Sequence, residues 1–495
     1  MDPVQLDFSI LAPIGFVSIG AVFVLLGDAW LSRGPRKSTV GPTLAMISTL
    51  ALMLAFVTSA FAFSADTSAS FNSSHPMLRV DAFSALFFGL LAVCAIGSIW
   101  LTRNYLPTLR IDQGEYYALL LLSVVGAFVM VAAVDLLSVY VGLELMSLPG
   151  YVLAGFDRRR LHSNEAGLKY FLMGAFASAV LLYGIALLYG ATGSTSFSGL
   201  RGGFDEASPL AMAGLALLVA GFGFKISAVP FHQWTPDVYE GAPTPVTAFM
   251  STAVKIAAIA ALIRFLRLAL PDVLPDLQVV FAALALATMV VGNAMALIQT
   301  NLKRMLAYSG IAHVGYLLIG FAAASPDAWA ALIFYMTAYG FMNLGAFGTI
   351  AALARHGQER DRFVDLAGLF QRRPGMAVAM TLFLFALAGL PGTAGLWAKV
   401  YVFKAAVDAG WVWLAIVGVL MSVVSVYYYL RPTVMMFMRE ASSDDPGELD
   451  FLPGLTLAFC AAAVLWIGWM PNSDPFFGLF RALDLARTAA EALVR

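Results

Sequence analysis

The chain has 495 residues, of which 60% are hydrophobic and only 12% are charged, and its mean hydropathy is +0.83. So few polar residues cannot cover the surface of a water-soluble protein of this length, which excludes that class. The net charge of −1 gives no sign of a nucleic-acid partner. The two cysteines, Cys94 and Cys460, lie in apolar runs without metal or redox spacing, so we expect them to pack in the interior.

Apolar runs of about twenty residues recur along the whole chain and predict a polytopic membrane protein. The runs are continuous, which excludes the alternating strands of a membrane barrel. We therefore expect an all-α fold with about fourteen transmembrane helices, followed by an amphipathic tail at 476–494. The predicted spans are 9–30, 40–63, 82–101, 115–133, 136–156, 166–191, 210–238, 245–268, 277–298, 303–324, 328–353, 375–407, 411–438 and 452–470.

The positive charges of the loops predict the orientation of the chain. Most of the 29 basic residues fall in alternate loops, on one side of the predicted membrane. The positive-inside rule places this side in the cytoplasm, with both termini outside. These basic residues are Arg33, Arg36, Lys37, Arg103, Arg110, Arg158, Arg159, Arg160, Lys303, Arg304, Arg355, Arg360, Arg362, Arg372, Arg373, Arg431 and Arg439.

Two of the predicted spans are interrupted. The seventh contains PFHQWTPDVY at 230–239, and the twelfth contains PGTAGLWAKVY at 391–401. Because the two spans are an odd number of spans apart, the second unit runs inverted relative to the first. Paired interrupted helices in inverted halves point to a transport site near the middle of the membrane. We predict two inverted five-helix repeats, each with a broken helix.

These repeats divide the chain into four predicted parts. A three-helix segment at 1–110 precedes the first repeat, which covers 111–270. The second, inverted repeat covers 271–440, and a final span with the tail occupies 441–495. Each repeat is expected to form one half-channel.

Four ionisable residues fall deep inside predicted spans: Glu144, Lys225, Lys255 and Lys399. A charge at the centre of a membrane helix costs ~2.5–3.5 kcal/mol and requires a partner or a water-filled cavity. Burial disfavours a charged lysine, and a nearby carboxylate favours it, so a moving partner can load and unload a proton. The sequence predicts that these residues transfer protons. For Glu144 alone, a satisfied packing pair with a lysine is an equal alternative.

Further candidates for a proton relay are Lys169, His232 and His313. Each has a structural alternative. Lys169 lies near the end of its span, like Lys404, where a long side chain can reach the interface. His313 is also explained as a hydrogen-bonded core histidine, and His232 as a partner of the carbonyl groups that the break at Pro230 frees.

Motifs for other chemistry are absent from the sequence. It contains no GxGxxG dinucleotide loop, no GxxxxGK[ST] phosphate loop and no Cys/His cluster with metal spacing. We therefore expect neither a cofactor nor a metal ion in this chain.

Four long stretches resemble a known family. They read GLELMSLPGYVLAGF, EAGLKYFLMGAFASA, KISAVPFHQWTPDVYEGAPTPVTAF and NLKRMLAYSGIAHVGY. They resemble the antiporter-like membrane subunits of respiratory complex I, which are related to subunits of multisubunit Na⁺/H⁺ antiporters. The similarity runs from about residue 80 to 440, and the wording VYEGAPTPVTAF favours the N subunit family over the L and M families.

The resemblance implies a role for each matching residue. Glu144 resembles the fifth-span glutamate that pairs with a lysine, and Lys225 the broken-helix lysine of the first half-channel. Lys255 resembles the lysine that connects the half-channels, and Lys399 the lysine of the second broken helix. Two further positions match in the same way, namely Lys169 in the sixth span and His313 in the connecting region.

The same resemblance implies the function. The chain is expected to be the N subunit of proton-pumping NADH:quinone oxidoreductase, a translocase whose FMN and iron–sulfur clusters lie in partner subunits. Its neighbours would be other membrane-arm subunits, of the M and K types, and membrane lipids in the bacterial inner (plasma) membrane. A subunit of an Mrp-type cation/H⁺ antiporter without redox coupling is the alternative, and the polypeptides that co-purify with the chain distinguish the two.

Overall fold

The structure, a computed structural model, describes residues 11–31, 40–65, 68–70, 76–204, 208–355, 357–440, 449–469 and 482–493. These residues form twenty α-helices and one short hairpin of β1 (Ala69–Ser70) with β2 (Arg79–Val80). The helices are α1 (Ala12–Leu31), α2 (Val40–Ser64), α3 (Ala82–Leu109), α4 (Gly114–Ala132), α5 (Leu136–Ala154), α6 (Leu161–Thr192), α7 (Phe197–Gly203), α8 (Pro209–Ile226), α9 (Trp234–Gly241), α10 (Thr244–Phe249), α11 (Lys255–Ala269), α12 (Leu274–Leu297), α13 (Leu302–Ala323), α14 (Pro326–Ala352), α15 (Leu369–Arg372), α16 (Pro374–Ala388), α17 (Ala394–Asp408), α18 (Val412–Met438), α19 (Phe451–Trp469) and α20 (Ala482–Ala492).

Thirteen helices in the described part of the chain are long and apolar enough to cross a membrane. One of them, Thr244–Ala269, consists of α10, a π-helical turn at Met250–Val254 and α11. The short apolar helix α16 and the following α17 make up the predicted interrupted span at 375–407. The prediction of an all-α polytopic membrane protein with about fourteen spans is confirmed. The inverted repeats and the four-part division remain predictions.

Burial separates central from peripheral helices. The spans Thr244–Ala269 and Leu302–Ala323 are buried throughout their most apolar window, whereas only 22% of that window in α1 is buried. Large apolar side chains project from the peripheral helices, among them Trp30, Phe176 and Trp469. Such a belt of exposed apolar residues fits contact with lipid. The candidate site residues lie on or beside the central spans.

Both predicted interruptions are present, and each has a local cause. Helix α8 ends because Ser227 adopts a left-handed conformation, and its N–H bonds back to the last turn. Pro230 follows, which lacks an N–H group, and α9 resumes only at Trp234. Helix α16 ends at Ala388 and is followed by Gly389, whose φ of +88° is a left-handed conformation that favours glycine.

The second interruption is shifted from its predicted position. We expected it at 391–395, but α17 already begins at Ala394, so Gly395 lies in the first turn of this helix. A Cβ atom at Gly395 would lie 1.7 Å from the carbonyl oxygen of Ala386 in α16. Glycine is therefore required there because the backbones of the two half-helices come into direct contact.

Arg160, Lys303 and Arg304 form ion pairs at one end of the bundle, which we call the basic end. The tail helix α20 packs against α3 and α14 at the opposite end, where Arg267 donates to the carbonyl oxygen of Ala490. The predicted residues 9–10, 470, 476–481 and 494, and the loop residues Arg33, Arg36 and Lys37, lie outside the described residues.

A buried ion pair joins α3 and α11 at the end opposite the basic end. The two terminal nitrogens of Arg264 donate to the two carboxylate oxygens of Asp81, at 3.0 and 2.7 Å. Asp81 also caps α3 by accepting from the N–H of Ser84 at 2.9 Å. Because both charged groups are buried, this bidentate contact fixes the register of the two helices.

Candidate functional site

Lys225 lies in the last turn of α8, directly before the first interruption, and only 3% of it is exposed. Its ammonium group donates to the hydroxyl of Ser147 at 2.7 Å and to that of Tyr170 at 3.3 Å. A cavity of about 10 Å³ adjoins these groups. This is about the smallest volume that holds one water molecule, so Lys225 can exchange protons through neutral groups or a single water.

Glu144 lies one turn before Ser147 on α5 and is half-buried. The expected ion pair with a lysine is not formed, since no basic nitrogen in the described part of the chain lies within 4.0 Å of its carboxylate. One carboxylate oxygen, Oε1, is buried without a hydrogen-bond partner among these residues. Glu144 still interacts electrostatically with Lys225. Lys225 donates its hydrogen bond to the hydroxyl of Ser147 instead of to the carboxylate of Glu144.

Lys255 is 2% exposed and directly follows the π-helical turn of the span Thr244–Ala269. Its ammonium group faces the carbonyl oxygen of Gly310 at 3.4 Å and lies 5.8 Å from the ring centre of Tyr239. A Cβ atom at Gly310 would lie 3.3 Å from this nitrogen and 2.9 Å from the hydroxyl of Tyr339. The glycine therefore leaves room for the lysine, and π-helical turns of this kind frequently mark functional positions.

Lys399 lies in the second turn of α17, after the second interruption, and is 4% exposed. Its ammonium group donates to the carbonyl oxygen of Ala388 at 2.7 Å and to the hydroxyl of Ser422 at 2.8 Å. Ala388 is the last residue of α16, so its carbonyl has no helical partner. The break in the helix thus supplies the acceptor that holds Lys399.

His313 lies in α13, and both Lys255 and Lys399 act on it electrostatically. Its Nδ1 is 2.6 Å from the hydroxyl of Tyr335, and its Nε2 is 3.2 Å from that of Tyr429. Tyr429 also shares a hydrogen bond with Ser309. The histidine is hydrogen-bonded on both ring nitrogens, which suits a core histidine and a relay alike.

Aromatic hydroxyl groups continue the polar cluster towards Lys399. The ring of Tyr316 packs against His313 at 5.7 Å and lies under the ammonium group of Lys399 at 5.1 Å. The side chain of Asn293 donates to Tyr316 at 3.4 Å and accepts from Tyr428 at 3.0 Å. These buried groups lie between the charged residues that the sequence predicted.

Sequence reasoning missed the tyrosines and Asn293. A tyrosine in an apolar run of a membrane protein resembles any other large buried side chain, and only its hydroxyl partner reveals its role. One signal was available, because Ser309 and His313 are one helical turn apart and both face Tyr429.

Lys169 is not buried with Lys225, Lys255 and Lys399. Its side chain is 40% exposed and forms ion pairs with Glu165 at 2.6 Å and Asp237 at 2.8 Å. Asp237 also pairs with Arg304 at 2.6 Å, so Lys169 belongs to an ionic cluster at the basic end. Lys404 is 66% exposed and pairs with Asp408, in agreement with the interfacial alternative.

His232 lies in the first interruption, between α8 and α9, and is half-buried. Its Nδ1 is buried without a hydrogen-bond partner among the described residues. His232 interacts with the backbone of Pro230 beside the break, and no hydrogen bond among the described residues links it to Lys225.

A buried carboxylate that the sequence did not reveal, Glu359, lies in the loop between α14 and α15. It accepts hydrogen bonds from Tyr105, Arg160, Thr244 and Lys303. Burial works to raise the pKa of Glu359, but Lys303 and Arg160 outweigh it and hold this pKa at about 2. In the sequence, a glutamate in a polar loop is indistinguishable from a solvated one.

The fold and these residues define the class of the protein. A polytopic helical bundle has two interrupted spans, and a buried lysine lies beside each interruption. A third lysine and a histidine lie between them, which defines an antiporter-like membrane protein.

Comparison with known proteins narrows the class to a family. The profile described as "NADH:quinone oxidoreductase/Mrp antiporter, TM" matches residues 133–425. The chain is 47% identical to NADH-quinone oxidoreductase subunit N of Trichlorobacter lovleyi, over 74% of this chain and 75% of the relative. It is 40% identical to subunit N 1 of Herpetosiphon aurantiacus, over 97% of both chains.

A solved structure agrees with these relatives. A chain of respiratory complex I from Thermus thermophilus with bound Aureothin superimposes with a TM-score of 0.78 at 33% identity, covering 93% of this chain and 97% of that chain. The chain therefore belongs to the NADH-quinone oxidoreductase subunit N family.

Proposed function

We propose that this chain is the membrane-arm subunit N of a proton-pumping NADH:quinone oxidoreductase and that it moves protons through its buried polar residues. The proposal rests on the burial and the hydrogen-bond partners of three central lysines. Lys225, Lys255 and Lys399 are all buried at membrane depth, and their hydrogen-bond acceptors are hydroxyl or carbonyl groups. A purely structural lysine would be expected to hold a carboxylate.

The neutral partners explain how such a lysine can carry a proton. A buried ammonium group loses its hydration, and a hydroxyl or carbonyl acceptor replaces only part of it. The charged state is therefore sensitive to any nearby change in charge. Glu144, whose Oε1 has no hydrogen-bond partner among the described residues, would exert such a change on Lys225.

The second part of the path runs through the central cluster. Lys255 and Lys399 both act electrostatically on His313, and hydroxyl groups bond both ring nitrogens of the histidine. A hydroxyl both donates and accepts, so a proton can pass along the cluster while each group keeps a partner. His232 and Lys169 are proposed as outer relay groups, at the first interruption and at the basic end.

Redox chemistry is proposed to lie outside this chain. NADH oxidation and quinone reduction, with their FMN and iron–sulfur clusters, are assigned to partner subunits, and the neighbours in the membrane to subunits of the M and K types. The chain then converts an electrostatic or conformational signal into proton movement, within the inner (plasma) membrane of a bacterium and in contact with its lipids. The basic end faces the cytoplasm, and both termini face the periplasm.

The experiment replaces Lys225 and Lys399 singly with alanine and measures proton pumping by the purified complex in vesicles. We expect each variant to assemble with its flavin and iron–sulfur partners and to lose most of its pumping, with coupled quinone reduction lowered. Normal pumping in both variants would refute the assigned roles.

The family description also includes Mrp antiporters, which makes a cation/H⁺ antiporter subunit the second candidate. The same lysines would serve it. Purified material that carries no flavin or iron–sulfur protein and exchanges Na⁺ for H⁺ would favour this candidate over the first.

A further inference from the structure

Glu359 is one of the most strongly held side chains in the described part of the molecule. Its side chain is 2% exposed. The carboxylate accepts from the hydroxyl of Thr244 at 2.6 Å and from the backbone N–H of Thr244 at 3.1 Å. Lys303 donates at 3.2 Å, and Tyr105 and Arg160 complete the set. Charge-assisted hydrogen bonds of this kind are the strongest in proteins.

The partners of Glu359 come from four helices in different parts of the chain. Tyr105 belongs to α3, Arg160 precedes α6, Thr244 begins α10, and Lys303 lies in the first turn of α13. Thr244 is also the first residue of the continuous helix that carries Lys255. The carboxylate therefore ties the helix of a central lysine to the loop after α14.

A polar cavity adjoins this cluster at the basic end. It has a volume of about 170 Å³ and lies between the ends of α3 and α14 and the start of α19, with Asn104, Thr108 and Arg355 in its wall. A single water needs ~10–15 Å³ by this measure, so the cavity can hold several. Tyr105 lines the cavity and also donates its hydroxyl to Glu359. Tyr105 thus links the cavity wall to Glu359 and to the start of the Lys255 helix, where the N–H of Thr244 donates to its hydroxyl at 2.9 Å.

We propose that Glu359 is a positioning residue that seals the basic end of the subunit, keeping the water of this cavity away from the helix that carries Lys255. The sealing is a property of the fold. Its consequence, that protons cannot bypass the line of buried lysines, rests on the proposed function.

The charges of the cluster explain why the seal depends on the anion. Glu359 faces two cations, Arg160 and Lys303, and Lys303 is completely buried with the carbonyl oxygen of Ala242 as its other acceptor at 2.6 Å. Without the carboxylate, the buried ammonium group of Lys303 would keep only the carbonyl oxygen of Ala242 as an acceptor among the described residues and would still face Arg160, a like charge. Water entering from the cavity would then stabilise this charge, which opens the cluster.

The test measures access of a water-soluble methanethiosulfonate reagent to Ala242→Cys in the purified complex. Ala242 is fully buried behind the cluster, and the native Cys94 and Cys460 are also buried. We expect little labelling while Glu359 is present and, in the Glu359→Gln background, labelling at least about tenfold faster, because removal of one partner opens a buried charge cluster. Equal labelling rates would overturn the proposal.

The matched control is Glu240→Gln at the same end of the molecule. Glu240 pairs with Arg304 at 2.9 Å, but it is partly exposed, and Asp237 remains as a second partner of Arg304. We expect no change in labelling. Equal acceleration by Glu240→Gln would show a general loosening and would overturn the specific role of Glu359. If Glu359→Gln fails to assemble, Tyr105→Phe, which removes one hydroxyl, must accelerate labelling; no acceleration would also overturn the proposal.

Acid provides an independent readout. The pKa of Glu359 is lowered from its model-peptide value of 4.5 to about 2, so its contribution is complete above the higher value and disappears only as the pH falls through the lower one. Labelling with Glu359 present should therefore stay constant from about pH 8 to about pH 5 after correction for reagent reactivity. A rise in this range would contradict a permanently charged seal.

The consequence for protons is tested without turnover. Vesicles containing Glu359→Gln complex should lose an imposed pH gradient faster than the Glu240→Gln control, and equal loss would refute the bypass claim. Neither the labelling nor this leak requires Lys225 or Lys399 to pump, so failure of the seal and failure of the proposed function are distinguishable.

Discussion

The two interrupted helices hold their lysines in opposite ways. Lys225 precedes its interruption and donates to hydroxyl groups of other helices, those of Ser147 and Tyr170. Lys399 follows its interruption and donates to a carbonyl oxygen of its own broken helix, together with Ser422. The carboxylate of Glu144 acts electrostatically on Lys225, whereas the hydrogen-bond acceptors of Lys399 are a carbonyl oxygen and a hydroxyl group.

This difference indicates a division of roles. A lysine near a movable carboxylate can respond to a change in that carboxylate. A lysine held by a backbone carbonyl depends on the geometry of the helix break instead. On this account, the first interruption receives an electrostatic signal, and the second is controlled by its backbone.

The largest effect is expected from Gly395→Ala. The new methyl group would lie 1.7 Å from the carbonyl oxygen of Ala386, so α16 and α17 must separate, which moves Lys399 away from Ala388. Overpacking of this kind costs ~1–3 kcal/mol or more. We expect loss of pumping and reduced amounts of assembled complex, measured by proton uptake and by the yield of purified complex.

Gly375→Ala is the matched control, because a Cβ atom there meets nothing within 4 Å. It should leave assembly and pumping unchanged. Normal pumping by Gly395→Ala would show that the backbone contact at the second interruption is dispensable.

The next largest effect is expected from Glu144→Gln, which keeps the shape of the side chain but removes its charge. If the carboxylate drives Lys225, pumping should fall by at least about tenfold, since each 1.36 kcal/mol in a barrier is a factor of ten in rate. The measurement is the initial rate of proton uptake at matched NADH oxidation. An unaltered rate would remove the electrostatic distinction between the two lysines.

A smaller effect on pumping is expected from replacing either of two serines, Ser147 or Ser422, with alanine. Ser147→Ala leaves Lys225 only the longer contact to Tyr170 at 3.3 Å, whereas Ser422→Ala leaves Lys399 its carbonyl acceptor at 2.7 Å. A hydrogen bond to a charged group contributes ~1.5–3 kcal/mol, so the first change should slow pumping more than the second. A reversed order in side-by-side pumping assays would contradict the comparison.

The smallest effect is expected from Lys404→Ala, one turn beyond Lys399. Lys404 is exposed and pairs only with Asp408 among the described residues, and solvent screens such surface pairs strongly. Pumping and assembly should be indistinguishable from the unmodified complex. A pumping defect would mean that depth in the membrane does not decide which lysines matter.

The sequence predicted the architecture because its physical signals are strong. Apolar runs fixed the spans, and Pro230 and Pro391 marked both interruptions, although the second begins at Gly389. Single charges in these runs identified the buried lysines Lys225, Lys255 and Lys399, because a charge at membrane depth requires a partner or a cavity. Lys303 is also buried, but the sequence placed it among the loop residues.

Other parts of the site depend on contacts between distant segments, which one sequence does not encode locally. Glu359 and Tyr105 are 254 residues apart, and neither stands out in its own surroundings. Family resemblance predicted that Glu144 pairs with a lysine, but Lys225 contacts Ser147, one turn further along α5, instead. Only the packed helices decide which neighbouring side chain reaches the ammonium group.

The most direct test of a continuous path is the number of protons pumped per NADH oxidised in Lys255→Ala complex. Lys255 lies between the two interruptions and contacts neither Lys225 nor Lys399, so its loss should separate the halves without disturbing either. We predict a lower proton ratio, with NADH oxidation retained and the complex assembled. An unchanged ratio would contradict the claim that the buried lysines form one proton path.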